Sequence, residues 1–382
     1  MADDRFTWHP QARLFGPGGQ ETSAMAPAAT VISPDPGPTA LALALASSAP
    51  FRIGLIDAPA PQAGPRPLFE TLTAGSTQTP RRIIRSHASW TASFAVTARL
   101  FGLGPGRRLA VLGSLVHSLS LYGAIEGLHL GAEVHLLGGL RPDRQAAALA
   151  ERRIDTLYAT PAQLRGLRRA LPDLRLILIG GAKLDSRLRA DLASLAPQAV
   201  IREFYGAAEA SFITLADAGT PDGSVGRAYP GVQIDIREGE VWLRSPYGFQ
   251  GYATEVGSAR WQDGWLTVGE IGRLEDGYLY LSGRKGRMVT VADQNVFPEE
   301  IEGLMQTLPG ITEVAILPMP DVARGHVLQA VAMGDPAQEP AILSHLRATL
   351  GPLKSPRRIV WRGDWPRLPS GKTDLRAIKA GL

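Results

Sequence analysis

The segment Pro366-Arg367-Leu368-Pro369-Ser370-Gly371-Lys372-Thr373, close to the end of a 382-residue chain, decides between two folds. Its last residues imitate a Walker phosphate loop, which would make the protein a P-loop nucleotide binder. That loop demands a glycine where this chain has Pro366, and no strand-loop-helix pattern surrounds the segment. What remains is a lysine on a glycine turn, able to stabilise charge on a carboxylate oxygen and a phosphate in a transition state. Lysine is scarce here: of 40 basic residues only Lys183, Lys285, Lys354, Lys372 and Lys379 are lysine, so each stands out in an arginine-biased chain.

Working back from Lys372, residues 288–382 read as alternating strands and helices up to Gly283-Arg284-Lys285-Gly286-Arg287. A hinge is expected there, separating a large domain, 1–283, from a small mobile α+β domain, 284–382. Before it, the short apolar runs 174–179, 156–159, 133–137 and 108–112 alternate with helical patterns, which predicts layered α/β structure. Runs 233–237 and 240–244, joined by the turn Glu238-Gly239, predict a small β-rich subdomain. Residues 1 to about 65 are rich in Pro, Gly and Ala, and predict an irregular lead-in with one helix over 40–46 and one strand over 51–56. The expected fold class is therefore α/β, with a β-rich subdomain and a small C-terminal domain.

Composition excludes several classes. Hydrophobic residues at 45% and charged residues at 20% describe a globular chain rather than a disordered one. The absence of Cys removes disulfides, thiolate-zinc sites and cysteine nucleophiles. Net charge is only +4, and the arginines are dispersed without interleaved aromatics, so nucleic acid is not an expected partner. Met-Ala-Asp-Asp-Arg lacks the basic start and apolar run of a secretory signal, and the run 40–46 is too short to cross a bilayer. A cytoplasmic location without a membrane span is expected.

Four upstream segments carry chemistry. Thr73-Ala74-Gly75-Ser76-Thr77-Gln78-Thr79-Pro80-Arg81 is a hydroxyl-rich loop between an apolar run and the helix near Ser86, whose N-H groups, hydroxyls and arginine can wrap phosphates. A plain turn is the bland alternative. Gly180-Gly181-Ala182 follows a strand, where a ligand ring can approach the backbone, and a tight strand-to-helix turn explains it equally well. In Phe204-Tyr205-Gly206-Ala207-Ala208-Glu209, the carboxylate can hold Mg2+ against phosphate oxygens or simply start a helix. Finally, Glu270 in Val268-Gly269-Glu270-Ile271-Gly272 can accept ribose hydroxyls, with Arg284 approaching sugar or phosphate; hairpin turns and a surface ion pair are the alternatives.

Taken together and in this order, the segments resemble the superfamily of acyl-CoA synthetases, nonribosomal adenylation domains and luciferases, over roughly residues 71–378. The phosphate loop resembles T-S-G-[ST]-T-G-x-P-K, and the Tyr205 segment resembles Y-G-x-T-E. Residues 268–284 resemble T-G-D-x-G followed by D-G-[YF] and G-R, and Phe297-Pro298-Glu299-Glu300-Ile301-Glu302 resembles a helix opening of the small domain. The resemblance implies that Thr73, Ser76, Thr77 and Arg81 bind ATP phosphates, that Gly181, Ala182, Tyr205 and Gly206 flank adenine, and that Glu209 positions Mg2+. It further implies that Glu270 and Arg284 hold the ribose, that His117 and Gly206 border the acyl pocket, that Lys285 and Gly286 form the hinge, and that Lys372 bridges the acid and the α-phosphate.

The implied activity is ATP-dependent activation of a carboxylic acid, then transfer to a thiol, with coenzyme A as first acceptor and an acyl-carrier protein as second. Val116-His117 stands where relatives that bind amino acids carry an Asp, which points to an aryl acid of cinnamate type or a medium acyl chain. Several positions depart from the pattern: Gln78 for a loop glycine, Arg81 for lysine, Ala208 for threonine, Glu270 for aspartate, Gly286 for the usual hinge Asp or Lys, and Asp293 where relatives have glycine along the pantetheine path. These departures motivate a second reading, an adenylate-binding regulatory or scaffold protein. The region before residue 71 is shorter than in relatives, so the acyl pocket is open or a second subunit of a homodimer covers it.

Overall fold

The runs at 108–111, 133–136, 156–159 and 176–179 are buried at nearly every position, as strands covered on both faces are. The computed structural model describes residues 4–25, 32–33, 36–73, 80–254, 257–292, 294–321, 324–368 and 372–382. In chain order they form β1 (Arg13–Phe15), β2 (Glu21–Thr22), β3 (Ile32–Ser33), α1 (Pro38–Ala46), β4 (Phe51–Ile53), β5 (Leu68–Thr73), β6 (Arg81–Ser86) and α2 (His87–Phe101). Next come β7 (Arg108–Val111), α3 (Ser118–Leu130), β8 (Glu133–Leu136), α4 (Pro142–Glu151), β9 (Thr156–Ala159), α5 (Pro161–Leu164), β10 (Leu176–Ile179) and α6 (Ser186–Leu195). β11 (Val200–Ala207), β12 (Ser211–Ala216), β13 (Ser224–Ala228), β14 (Gln233–Arg237), β15 (Glu240–Arg244), β16 (Gly251–Tyr252), β17 (Arg260–Gln262), β18 (Trp265–Thr267), β19 (Glu270–Glu275) and β20 (Tyr278–Arg284) follow. The last stretch holds β21 (Val289–Val291), β22 (Gln294–Val296), α7 (Pro298–Gln306), β23 (Ile311–Asp321), β24 (Gly325–Gly334), α8 (Glu339–Lys354), β25 (Ile359–Trp361) and α9 (Leu375–Ala380). No helix among the described residues is long and apolar enough to cross a membrane.

The chain divides into two compact units: Met1–Ile234 with Leu243–Leu266 and Asp276–Leu279, and Asp235–Trp242 with Thr267–Glu275 and Tyr280–Leu382. Within the first, strands run in the order β13-β12-β11-β10-β9-β7-β8-β1-β2. β1, β8, β7, β9, β10 and β11 are mutually parallel, and β12 and β13 add antiparallel strands. A second sheet, β16-β6-β5-β4-β3, belongs to the same unit. The expected irregular lead-in is corrected here: it supplies β1 and β2 to one sheet and β3 and β4 to the other. Strands of two or three residues are too short to display a period, so only tertiary pairing reveals them. Residues 81–86 are likewise a strand, β6, hairpin-paired with β5, and the helix starts only at His87, where Ser86 Oγ accepts from Ser89 N at 3.3 Å.

The second unit contains a small sheet in which β24 lies between antiparallel β23 and parallel β25, and the apolar sides of α7 and α8 pack with it through Ile301, Met305, Ile342 and Leu346. The β14–β15 turn, Glu238-Gly239, has φ of 50° and 79°, the doubly positive pair of a tight hairpin.

A polar island sits inside the apolar core of the first unit. Glu126 of α3 is fully buried, accepts from Tyr158 Oη at 2.5 Å and from Thr97 Oγ1, while Tyr122 Oη donates to Ser93 Oγ at 2.8 Å. Burial pushes the Glu126 carboxyl from 4.5 up to about 7, against the lowering pull of the Thr97 and Tyr158 hydroxyls. The folded chain therefore keeps a proton that the unfolded chain releases between these values. Its stabilising contribution is complete below pH 4.5 and lost by about pH 7, so unfolding free energy should fall by about 3 kcal/mol across that window. Melting curves from pH 4.5 to 8 should show this slope, and Glu126→Gln should flatten it.

Candidate active site

In open α/β sheets, ligands bind beyond the carboxyl ends of the strands, at the point where the chain changes direction of travel across the sheet. Here the chain leaves β7 for β8 on one side, then returns past β7 to β9 and onward to β10 and β11. The change of direction therefore lies between β7 and β9. Register fixes the neighbouring ends at one level: Val111 opposite Tyr158, Ala159 opposite Ile179, and Ile179 opposite Glu203. His117 follows β7, Gly180-Gly181-Ala182 follows β10, and Tyr205-Gly206 closes β11. The tertiary structure thus brings to one edge residues that the sequence offered as separate motifs.

The loops at this edge are close-packed. A Cβ on Gly180 would lie 2.3 Å from the Phe204 ring, and Gly181 adopts φ +89°, with its Cβ position 3.4 Å from Thr160 Cγ2. His117 is the N-cap residue of α3 and forms a bridge with Leu72 of β5. That bridge carries the end of the β5–β6 hairpin, with Thr73 directly opposite Arg81, to the same edge. Arg81 Nη1 donates to Ser258 Oγ at 3.4 Å. Ser76 and Thr77, expected to bind phosphate, lie outside the described residues, as do Gln78 and Asp293.

Between β11 and β12 the register shifts at Tyr205/Gly206. A side chain at Gly206 would meet the Ser211 carbonyl at 2.3 Å, so glycine lets the two strands close there. Such irregularities turn side chains at a sheet margin and are common beside active sites. Glu209 follows on a tight turn in which Ala210 N donates to the Ala207 carbonyl at 3.0 Å. The helix-start alternative for Glu209 is corrected: the residue joins two antiparallel strands. The residue is 8% exposed, and its Oε1 accepts from Tyr252 Oη at 2.8 Å. Among the described residues no cluster of three or more His, Asp or Glu could hold a metal. A hard cation at Glu209 would take one protein carboxylate and complete its shell with phosphate and water oxygens, which suits Mg2+.

In the second unit, Glu270 is buried and accepts from Arg284 Nε at 2.9 Å. Lys285 Nζ pairs with Glu240 Oε2 at 3.3 Å, and Thr267 Oγ1 donates to Glu240 Oε1 at 2.8 Å. Two residues further on, Arg287 is gripped by Glu302 at 2.8 and 3.1 Å and lies 3.3 Å from Glu299. Glu302 also accepts from Ile316 N at 2.8 Å. The P-E-E-I-E opening of α7 therefore anchors the end of the 284–287 segment, and a Cβ at Gly286 would meet nothing within 4 Å. Exposed Lys372 lies on the stem of a short hairpin: its carbonyl accepts from Leu368 N at 2.8 Å, and Arg367 bridges Thr373. This is not a strand-loop-helix frame. α9 begins later, capped by Asp374. Sequence reasoning missed Arg85 and Tyr252; the one available signal was a charge inside the apolar run Ile83-Ile84-Arg85.

Residues 21–253 match the family model described as AMP-binding enzyme. The uncharacterized acyl-CoA ligase YhfT of Bacillus subtilis (strain 168) is 32% identical over 334 residues, 83% of this chain and 69% of that protein. The indoleacetate-CoA ligase of Aromatoleum aromaticum is 28% identical over 353 residues, 84% of this chain and 69% of its own. Among solved structures, the ATP-bound RpMatB-BxBclM chimera B3 shares the fold with a TM-score of 0.80 at 18% identity, covering 98% of this chain and 96% of that one. With more than half its length matched and a close relative above 30% identity, the chain belongs to the AMP-binding enzyme family, as an acid-thiol ligase of the AMP-forming acyl-CoA synthetase type.

Proposed function

We propose that the protein joins a carboxylate to the α-phosphate of ATP, releasing pyrophosphate, and then passes the acyl group of the adenylate to the thiol of coenzyme A, releasing AMP. An acyl-carrier protein is the second candidate acceptor. The observation that carries this reading is a buried carboxylate, Glu209, on the turn after β11, at the edge where the parallel strands end. Thr73, Ser76, Thr77 and Arg81 are assigned the phosphates, Gly181, Ala182, Tyr205 and Gly206 the adenine, and Glu270 with Arg284 the ribose. His117 is assigned to the acyl group. When bound, Mg2+ held by Glu209 would neutralise phosphate charge. Arg81 and Lys372 supply fixed positive charge to the oxygens on which negative charge builds, and such preorganised charge accounts for much of the barrier reduction in displacements of this kind.

The segment 284–287 serves as the hinge between domains 1–283 and 284–382 in this reading, with motion absorbed at Gly286 and limited by the anchored Arg287. The substrate is an aryl acid or an acyl chain rather than an amino acid, because Val116-His117 offers no carboxylate to an amino group, and relatives bear aryl-acid and fatty-acid names. Pyrophosphate exchange against a panel of aryl, aliphatic and amino acids tests it. Exchange driven by an aryl or aliphatic acid, followed by thioester formation with coenzyme A, is the expected result. Exchange with no acid at all would leave an adenylate-binding regulatory or scaffold protein.

A further inference from the structure

Arg85 breaks the ordinary rule for buried charge. Its side chain is fully buried in β6. Among the described residues the other buried arginines, Arg52 and Arg82, pair with Glu70, whereas the two Nη groups of Arg85 donate to uncharged acceptors and its buried Nε meets none. Nη1 donates to the Ala208 carbonyl, and Nη2 donates to the Tyr247 carbonyl and, at 2.8 Å, to Ser211 Oγ. Those acceptors bracket Glu209. Ala208 precedes it, Ser211 follows two residues on, and the Tyr247 segment continues to Phe249, whose N donates to the Glu209 carbonyl at 2.7 Å. Trp90 completes the support: its Nε1 donates to Ser211 Oγ at 3.0 Å, and its ring lies 5.6 Å from the guanidinium. Desolvation lowers the Arg85 pKa to about 9, and the negative charge of Glu209 is the foremost influence opposing that fall.

Glu209 is gripped from the other side as well. Tyr252 Oη donates to its Oε1 at 2.8 Å. β16, which carries Tyr252, pairs with β6, which carries Arg85. One strand pair thus delivers both contacts.

We propose that Arg85 and Tyr252 are positioning residues for Glu209: Arg85 clamps the 208–211 turn and balances its charge, and Tyr252 holds Oε1, presenting the carboxylate in one orientation to a cation-nucleotide complex. The proposal rests on the reading of Glu209 as the cation ligand. An apolar residue at position 85 would fill the space without the burden of a buried charge; the charge is explained by the carboxylate beside the turn it clamps.

The test uses the full chain and Mn2+ as probe. Affinity for Mn2+ in the presence of ATP is read by electron paramagnetic resonance, ATP affinity without metal by calorimetry, and folding by thermal melting. Tyr252→Phe should weaken Mn2+ binding by about tenfold, as loss of a residue supporting a ligand commonly does, with metal-free ATP affinity and melting temperature unchanged. Arg85→Lys keeps the charge but loses the fork, and should shift Mn2+ affinity in the same direction. Unchanged Mn2+ affinity in a folded Tyr252→Phe protein would overturn the proposal, as would equal loss of metal-free ATP binding. Should Arg85→Lys fail to fold, Tyr252→Phe still decides. Glu209→Gln separates the two levels. If it leaves Mn2+ affinity unchanged, the cation-ligand reading fails and the proposal with it; if it weakens Mn2+ binding while the other two variants do not, positioning alone fails.

Discussion

Replacing Lys372 by alanine is expected to reduce adenylate formation at least about 10²-fold, the order seen when one preorganised partner of a developing charge is removed. The same variant should convert a chemically prepared acyl-adenylate and coenzyme A to thioester at close to the normal rate. The reason lies in charge timing. Lys372 is assigned to the oxygens that gain charge as the carboxylate attacks the α-phosphate, and that charge is no longer developing once the adenylate exists. Pyrophosphate exchange reads the first step and thioester formation from supplied adenylate reads the second. Equal loss of both would mean that Lys372 acts on binding common to the two steps, or on folding of the hairpin it occupies, and the assigned role would be wrong.

The largest expected loss of stability comes from Glu70→Ala. Glu70, 3% exposed in β5, accepts from Arg52 at 2.7 Å and from Arg82 at 2.7 and 2.9 Å. Arg52 is fully buried and also donates to the carbonyls of Gly54, Leu55, Ala58 and Pro59, so it holds the loop that follows β4. Alanine at position 70 removes the shared carboxylate and leaves two guanidinium groups buried without it, which costs about 3–5 kcal/mol. Urea denaturation should register that loss. Nucleotide affinity should fall as well, because the strand pair that Glu70 ties together carries Thr73 and Arg81 at its far end. A loss under about 1 kcal/mol would show that water or rearranged partners replace the carboxylate.

Much of the candidate site was legible before any coordinates. Removing the Walker reading at Pro366 needed only spacing, and the apolar run 174–179 located a strand whose following loop carries Gly180-Gly181. The Glu238-Gly239 hairpin was equally plain, because a doubly positive φ pair selects its residues locally. These features share one property: their cause lies within a few residues of the effect, as side-chain period, turn chemistry and capping always do.

Other features depend on partners far away in the chain. Arg85 is separated by 123 residues from Ala208 and by 162 from Tyr247, so nothing around Ile83-Ile84-Arg85 tells that it supports the Glu209 turn. The helix-start alternative for Glu209 falls only once β12 is seen to return antiparallel to β11. The strands of the lead-in are extended because β8 and β5 offer them hydrogen-bond partners, a reason that two or three residues cannot express alone. The sequence by itself therefore offered the residue types of a candidate site and their order along the chain. Only tertiary structure decided which of them a buried charge or hydroxyl would hold in place, because buried polar groups must find partners wherever the fold brings them.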